Sequence, residues 1–175
     1  MSNEYLDWLH DLRDAPLHSE DHNHWLILMC PWLRLSKDED EYKYTWLDSM
    51  PEGWYRAFGE DMCMELKEVI DEVDDPDWEY EILQIKEKFG ELCWYTGGVP
   101  EEIYQRVYDI IEKYTQKSSH TCIYCGKPAK WRATGWIEPL CEDCAKAQFE
   151  RMRAPIGNYT LEDCFKRIKD DELYN

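Results

Sequence analysis

Apolar residues recur along this chain at two distinct spacings, and the places where the spacing changes divide it into elements. Between residues 4 and 13, Leu6, Leu9 and Leu12 fall three apart with Trp8 beside them, which predicts a short amphipathic helix. His22 to Leu33 is a second apolar segment whose helical part Pro31 limits. From Pro51-Glu52-Gly53 onward, Trp54, Phe58, Met62, Leu66, Val69, Ile70 and Val73 recur at steps of three or four, and proline followed by acid suits a helix start. The period then shortens to two. Tyr80, Ile82 and Gln84 alternate with Glu81, Leu83 and Ile85, Phe89-Gly90-Glu91 breaks the run, and Leu92 to Tyr95 resumes it, which predicts a β-hairpin. After Gly97-Gly98, Pro100 opens a helix striped by Ile103, Val107, Ile110, Ile111 and Tyr114. Thr160, followed by Leu161, Cys164, Phe165 and Ile168, predicts a capped terminal helix docked on the rest.

Charge sharpens this division. Of 38 acids and 20 bases, 29 acids and 10 bases lie in residues 1–115, whereas residues 116–155 hold 7 bases and 4 acids. The expected organisation is an α+β fold: an acidic helical body with a small antiparallel sheet over 1–117, a metal module over 118–155, and a C-terminal helix over 156–175. An acidic body disfavours sequence-independent binding to nucleic acid, which depends on Lys and Arg displacing counterions from phosphates. The longest apolar run, Trp25 to Leu33, includes a proline and is far short of the ~20 residues of a membrane span. The acidic start lacks the basic and apolar stretches of a secretory signal, so the expected compartment is the reducing cytoplasm.

In that compartment the cysteines read as metal ligands. Cys122-Ile-Tyr-Cys125 and Cys141-Glu-Asp-Cys144 have the spacing of a tetrahedral zinc site, with Gly126 permitting a knuckle turn, a hairpin around Thr134-Gly135, and a helix after the second pair. The arrangement is treble-clef or ribbon-like. Four thiolates leave no position for water, so one structural Zn2+ and no catalytic metal is expected. Cys30, Cys63, Cys93 and Cys164 sit among apolar neighbours and read as buried thiols. Around the site Lys127, Lys130, Arg132, Lys146, Arg151 and Arg153 interleave with Trp131 and Trp136. Either the bases dock the module on the acidic body with both tryptophans packed beneath the hairpin, or they form a nucleic-acid surface. The first reading is preferred.

Two weaker constellations complete the search. His18, His22 and His24 beside Glu20 and Asp21 suggest a second metal site but are better explained as a solvated polar loop, and His120 is superfluous beside a complete cysteine quartet. Asp77, Gln84 and Lys86 partly match the acid and lysine set of metal-dependent nucleases, but Gln84 replaces the second acid and Asp77 lies on the approach to the same strand. No serine-histidine-aspartate set, Walker loop or dinucleotide glycine pattern is present.

Gln84-Ile-Lys-Glu-Lys-Phe-Gly-Glu-Leu-Cys-Trp-Tyr95, a helix, and then Cys122-Ile-Tyr-Cys-Gly126 resemble a family of small uncharacterised bacterial, phage and prophage proteins, over roughly Trp54 to Cys144. The resemblance implies a mobile-element setting and transfers no catalytic residue. The expected function is therefore a non-enzymatic, phage-derived inhibitor that binds a basic surface on a host defence or nucleic-acid-handling complex, protein or ribonucleoprotein, with nucleic-acid mimicry as one route. Expected contacts are the acidic runs Asp38, Glu39, Asp40, Glu41 and Asp74, Asp75, Asp77, with Tyr42, Tyr44 and Trp46 as exposed aromatics and Trp46 as an anchor. Direct contact with nucleic acid or membrane is not expected. The alternative is a zinc-module regulator that binds nucleic acid through Lys130, Arg132 and Arg151.

Overall fold

The computed structural model describes residues 3–35, 42–156 and 159–169. Helices α1 (Asn3–Arg13) and α2 (Glu20–Met29) pack as a pair. Ser19 caps α2, its Oγ accepting from His22 N at 3.1 Å, and Pro31 ends it in a single 3-10 turn, Pro31–Leu33. Of the α1 stripe only Leu12 is buried, and Leu6 and Trp8 stay 40% exposed.

The next helical stretch is continuous but not uniform. A short α3 (Glu52–Trp54) passes through a π-helical turn, Tyr55–Gly59, into α4 (Glu60–Ile70). The Tyr55 ring lies over Gly59 so closely that a Cβ there would sit 2.8 Å from it. Trp54, Tyr55, Phe58, Met62, Cys63 and Leu66 all face the core. Against α4 packs α5 (Glu101–Ser119), burying Ile103, Val107, Ile111 and Tyr114 as its stripe requires. Two ion pairs, Arg106 with Glu72 and Lys113 with Glu65, tie the outer edges of the two helices.

Strands β1 (Glu81–Lys88) and β2 (Glu91–Gly97) form the expected antiparallel hairpin, and β2 lies on α5. The strict alternation does not hold. A bulge after Ile82 leaves Leu83 54% exposed, so Ile85, not Gln84, faces inward with Ile82. Gln84 and Lys86 do share a face, and Lys86 Nζ donates to Gln84 Oε1 at 2.6 Å. The hairpin turns on Phe89 (φ 55°) and Gly90 (φ 82°), a two-residue loop with both backbones left-handed. Gly90 suits that conformation and Phe89 does not. Phe89→Asn is therefore expected to stabilise the chain by about 1 kcal/mol, read as a melting temperature about 2–4 °C higher; an unchanged or lower value would show that the Phe89 ring repays its backbone strain.

The second sheet, in the order β4-β3-β5, comprises β3 (Trp131–Ala133), β4 (Pro139–Leu140) and β5 (Phe165–Arg167). Between β4 and β5 come α6 (Glu142–Ile156) and a single turn, α7 (Leu161–Cys164). Here the expected C-terminal helix is corrected. Thr160 does cap, in a reciprocal box with Asp163, but after one turn the chain straightens and Phe165 enters the core at 1% exposure opposite Ala133. Spacings of three and four fit a helix over 161–168. The unpaired edge of β3 competes for the same residues, and alternating Phe165 and Lys166 satisfy it.

The charge division at residue 117 is not a packing division. α5 runs through it, Ser118 and Ser119 are buried, and Cys122, Ile123, Trp131, Leu140 and Phe165 belong to one core with Trp54, Leu92 and Val107. Among the described residues no helix is long and apolar enough to cross a membrane.

Candidate metal centre

The loop after α5 bends back on itself within five residues. Cys122 N donates to Lys127 O at 2.8 Å, Gly126 N donates to Cys122 O at 3.0 Å, and Gly126 adopts φ 77°. This knuckle presents Cys122 and Cys125 toward β4 and the start of α6, where Cys141 and Cys144 sit one turn apart. The four Sγ atoms lie within 4.8 Å of one another, and among the described residues they are the one group of three or more ligand-type side chains close enough to share an ion. A tetrahedral ion bound at ~2.3 Å to each sulfur requires sulfur separations of about 3.8 Å, which this cluster accommodates. Cys125 and Cys141 approach to 3.5 Å without a disulfide.

The electrostatics call for a cation. Burial pushes the Cys125 and Cys144 thiols up. At Cys141 burial also opposes ionisation, but the Cys144 backbone N–H, 3.5 Å from its Sγ, and the neighbouring thiols outweigh it and draw the group below the ordinary thiol value. Ionisation is thus favoured at Cys141 over Cys125 and Cys144, and a bound divalent cation would draw those two toward the thiolate as well. Around the quartet, Trp131 Nε1 donates to Glu142 Oε2 at 2.7 Å, and Glu142 also pairs with Lys146.

The module is clamped to the body by residues absent from the cysteine pattern. Gly53 N donates to Ile123 O at 2.9 Å, and Trp54 Nε1 donates to Thr121 O at 2.9 Å. The backbone of Gly53 is so close that a Cβ there would lie 2.2 Å from Cys122 O and 2.7 Å from Gly126 N. The signal in the sequence is Gly53 itself, a poor helix former just inside a helix start; nothing in one sequence names its neighbour.

Among the described side chains, no base of the module forms an ion pair with the body. Lys127 pairs with Asp143 and Lys146 with Glu142, both inside the module. Trp131 is buried, but Trp136 is 73% exposed at the turn between β3 and β4. The docking reading therefore holds for Trp131 and not for Trp136 or the bases: the module joins the body through their shared apolar core and through the Gly53 and Trp54 hydrogen bonds, leaving the outer face of the sheet open.

Among the described residues the histidines do not gather on an ion, and only His18 lies exposed in the loop before α2. His22 is 1% exposed on α2, its Nδ1 bonded to Arg13 O at 3.0 Å, and His24 stacks on Tyr42 at 3.9 Å. His120 turns its Nδ1 toward Gln116 O. His18, at φ 66°, bridges two acids, with Nδ1 2.5 Å from Asp48 Oδ1 and Nε2 2.6 Å from Glu52 Oε2. Partial burial lowers its pKa, but the bonds to and charges of Asp48 and Glu52 outweigh it and raise the group above its ordinary value of 6.5. This stabilisation is full below pH 6.5 and is lost as pH rises through the folded-state pKa. The imidazole is partly exposed, so the change is expected to be about 0.5–1 kcal/mol. Denaturant midpoints between pH 6 and 9 should show it, and a His18→Ala chain with the same pH profile would refute it.

Burial holds the thiols of Cys30, pushed up to about 12, and Cys63 protonated, as buried structural cysteines require; Cys93 and Cys164 are half-buried. Asp74, Asp75 and Asp77 lie exposed on the loop after α4, where Asp75 Oδ1 accepts from Asp77 N. Asp38, Glu39, Asp40 and Glu41 fall outside the described residues. Trp46 is half-buried against the core, Tyr42 is half-buried under His24, and Tyr44 is 55% exposed. No family model, curated protein or solved structure matches the chain.

Proposed function

We propose that the chain is a non-enzymatic binding protein, stapled by one structural Zn2+ at Cys122, Cys125, Cys141 and Cys144, whose acidic body engages a basic surface on a protein or ribonucleoprotein complex. Zinc is the ion because an all-thiolate tetrahedral set suits a soft-tolerant cation without redox chemistry, and a saturated set leaves it structural. Thiolates stay available for it in the reducing cytoplasm.

The observation that carries the reading is the band from Glu60 to Glu79, which holds ten acids against one base. Asp61, Glu65 and Glu68 follow one face of α4, and Glu72, Asp74, Asp75 and Asp77 continue the band into the turn and loop beyond it. Arg106 and Lys113 neutralise Glu72 and Glu65, whereas Asp61, Glu68, Asp74, Asp75 and Asp77 make no ion pair among the described residues. Such a band steers a basic partner and speeds its capture at low salt. The likeness of the hairpin and knuckle to small phage and prophage proteins supports an inhibitor of a host defence or nucleic-acid-handling complex.

The test compares the chain with a variant carrying Glu68→Gln, Asp74→Asn, Asp75→Asn and Asp77→Asn as baits in bacterial extract at low salt. A protein held by the first and lost from the second, with its association slowed rather than its dissociation hastened, is the expected result. Equal retention by both baits would sink the proposal.

A further inference from the structure

The outer face of the β4-β3-β5 sheet carries charge of the opposite sign to the body. Trp131 and Ala133 point inward, so Arg132 points out, and its cross-strand partner is Lys166. Lys130 lies two residues before Arg132 and accepts from Ile168 N through its carbonyl. Like charges directly opposite on a sheet repel. Yet Lys130, Arg132 and Lys166 make no ion pair among the described residues of a chain with 38 acids.

The same strand leads into an aromatic cleft. Beyond β3 the turn at Gly135 and Trp136 faces the Phe89-Gly90 turn of the other hairpin, enclosing about 260 Å3 lined by Glu87, Lys88, Phe89, Gly135, Trp136 and Ile137. The two turns are fixed against each other, since a Cβ on Gly90 would lie 3.1 Å from Ile137 Cγ2. Trp136 and Phe89, at 73% and 70% exposure, are the most exposed large apolar side chains among the described residues, and Lys88 Nζ lies 5.5 Å over the Phe89 ring. Phe89 holds this place in a left-handed backbone that asparagine or glycine would fit better. Strain kept at an exposed aromatic points to use.

From Lys130 to Trp136 the chain covers at most about 20 Å, so phosphate-binding cations and base-sized rings lie along one short track. We infer that this face binds a single-stranded nucleic acid, its phosphates on Lys130, Arg132, Lys166 and Lys88 and an unstacked base against Trp136 and Phe89. The acidic loop after α4 does not oppose this. It meets α5 near Arg106, thirteen residues and therefore about 20 Å from the α5 end that carries the module, which is about two screening lengths at physiological salt. Single strands are favoured over duplex because only free bases can enter an aromatic cleft.

The test uses the zinc-loaded full chain and fluorescein-labelled oligothymidylate and oligouridylate of about 12 nucleotides, read by anisotropy, with an unlabelled titration read by tryptophan fluorescence. Binding of either strand is expected, quenching Trp136, and the two arms tell DNA from RNA. Raising salt from about 50 to 200 mM should weaken binding about 50-fold if the four cations each contact one phosphate. The combined Lys130→Gln, Arg132→Gln and Lys166→Gln chain should lose most of that salt dependence. Trp136→Ala should cost about ten-fold, and Phe89→Asn should weaken binding by a similar factor while the fold becomes more stable. All five side chains are exposed or half-exposed, and zinc content and circular dichroism check that the variants are folded. No binding of either strand at about 100 μM protein, affinity unchanged in these variants, or equal affinity for a 12-base-pair duplex would each overturn the inference. None of these outcomes bears on the acidic band, whose test uses a different face.

Discussion

Stripping the metal with a chelator, or replacing Cys122 by Ser, is expected to lower the melting temperature by about 10–20 °C, equivalent to about 5 kcal/mol for a chain of this size. Isolated zinc-finger peptides gain roughly 10–16 kcal/mol from the metal because they have no structure without it. Here β3 keeps partners on both sides and the module shares its core with the body, so the loss should be about half as large. The damage should still reach the body, because Cys122 and Ile123 are part of that core and the knuckle carries the carbonyls that Gly53 N and Trp54 Nε1 use. Elemental analysis should give about one zinc per native chain, and added zinc should restore the melting temperature of the stripped protein. Cys164→Ser, outside the quartet, should leave stoichiometry unchanged. A native chain that carries no metal and melts at the same temperature with and without chelator would end the structural-zinc reading.

What was legible in the sequence divides along a physical line. Elements set by local periodicity or spacing were readable: the stripe of α5, the hairpin around Phe89-Gly90, the Pro31 stop and the cysteine quartet all come from residues whose roles are decided within a few positions. Elements decided by distant neighbours were not. Phe165 follows a helical spacing yet becomes a strand because β3 has an open edge. Leu83 breaks the strand alternation through a bulge that no pattern of apolar residues announces. The basic face was visible as Lys130 and Arg132, but Lys166 joins it only through strand pairing, and Arg151 lies on α6, away from that pairing. The aromatic cleft needed two turns, 46 residues apart at Gly90 and Trp136, to be brought together. His22 read as polar and is buried, since its Nδ1 meets the carbonyl of Arg13 that the end of α1 leaves without a helical partner.

Gly53→Ala should be more damaging than adding a methyl at Gly59 or Gly135. The Cβ it adds would meet Cys122 O at 2.2 Å, Gly126 N at 2.7 Å and Ile123 C at 2.7 Å, all main-chain atoms, so no side-chain rotation relieves the overlap. Relief requires either the knuckle or the start of α3 to move. The knuckle is held by the Cys122–Lys127 hydrogen bond and, in the proposed zinc-loaded chain, by the ion, and α3 is held by the Trp54 indole bonded to Thr121 O and by a ring fully buried at 0% exposure. Overpacking typically costs about 1–3 kcal/mol where neighbours can shift. With rigid neighbours on both sides the cost should reach about 3 kcal/mol, a melting temperature about 6–12 °C lower. Alanine is otherwise the better helix former, by about 1 kcal/mol over glycine, so the intrinsic preference acts in the opposite direction and makes the sign of the result informative. Gly135→Ala, which would meet nothing within 4 Å, is the control and should change stability by less than about 0.5 kcal/mol. The loss at Gly53 should also appear as weaker metal retention against a chelator, because a displaced knuckle carries Cys122 and Cys125 away from Cys141 and Cys144. A Gly53→Ala chain as stable as the parent would show that module and body are not joined by this backbone contact.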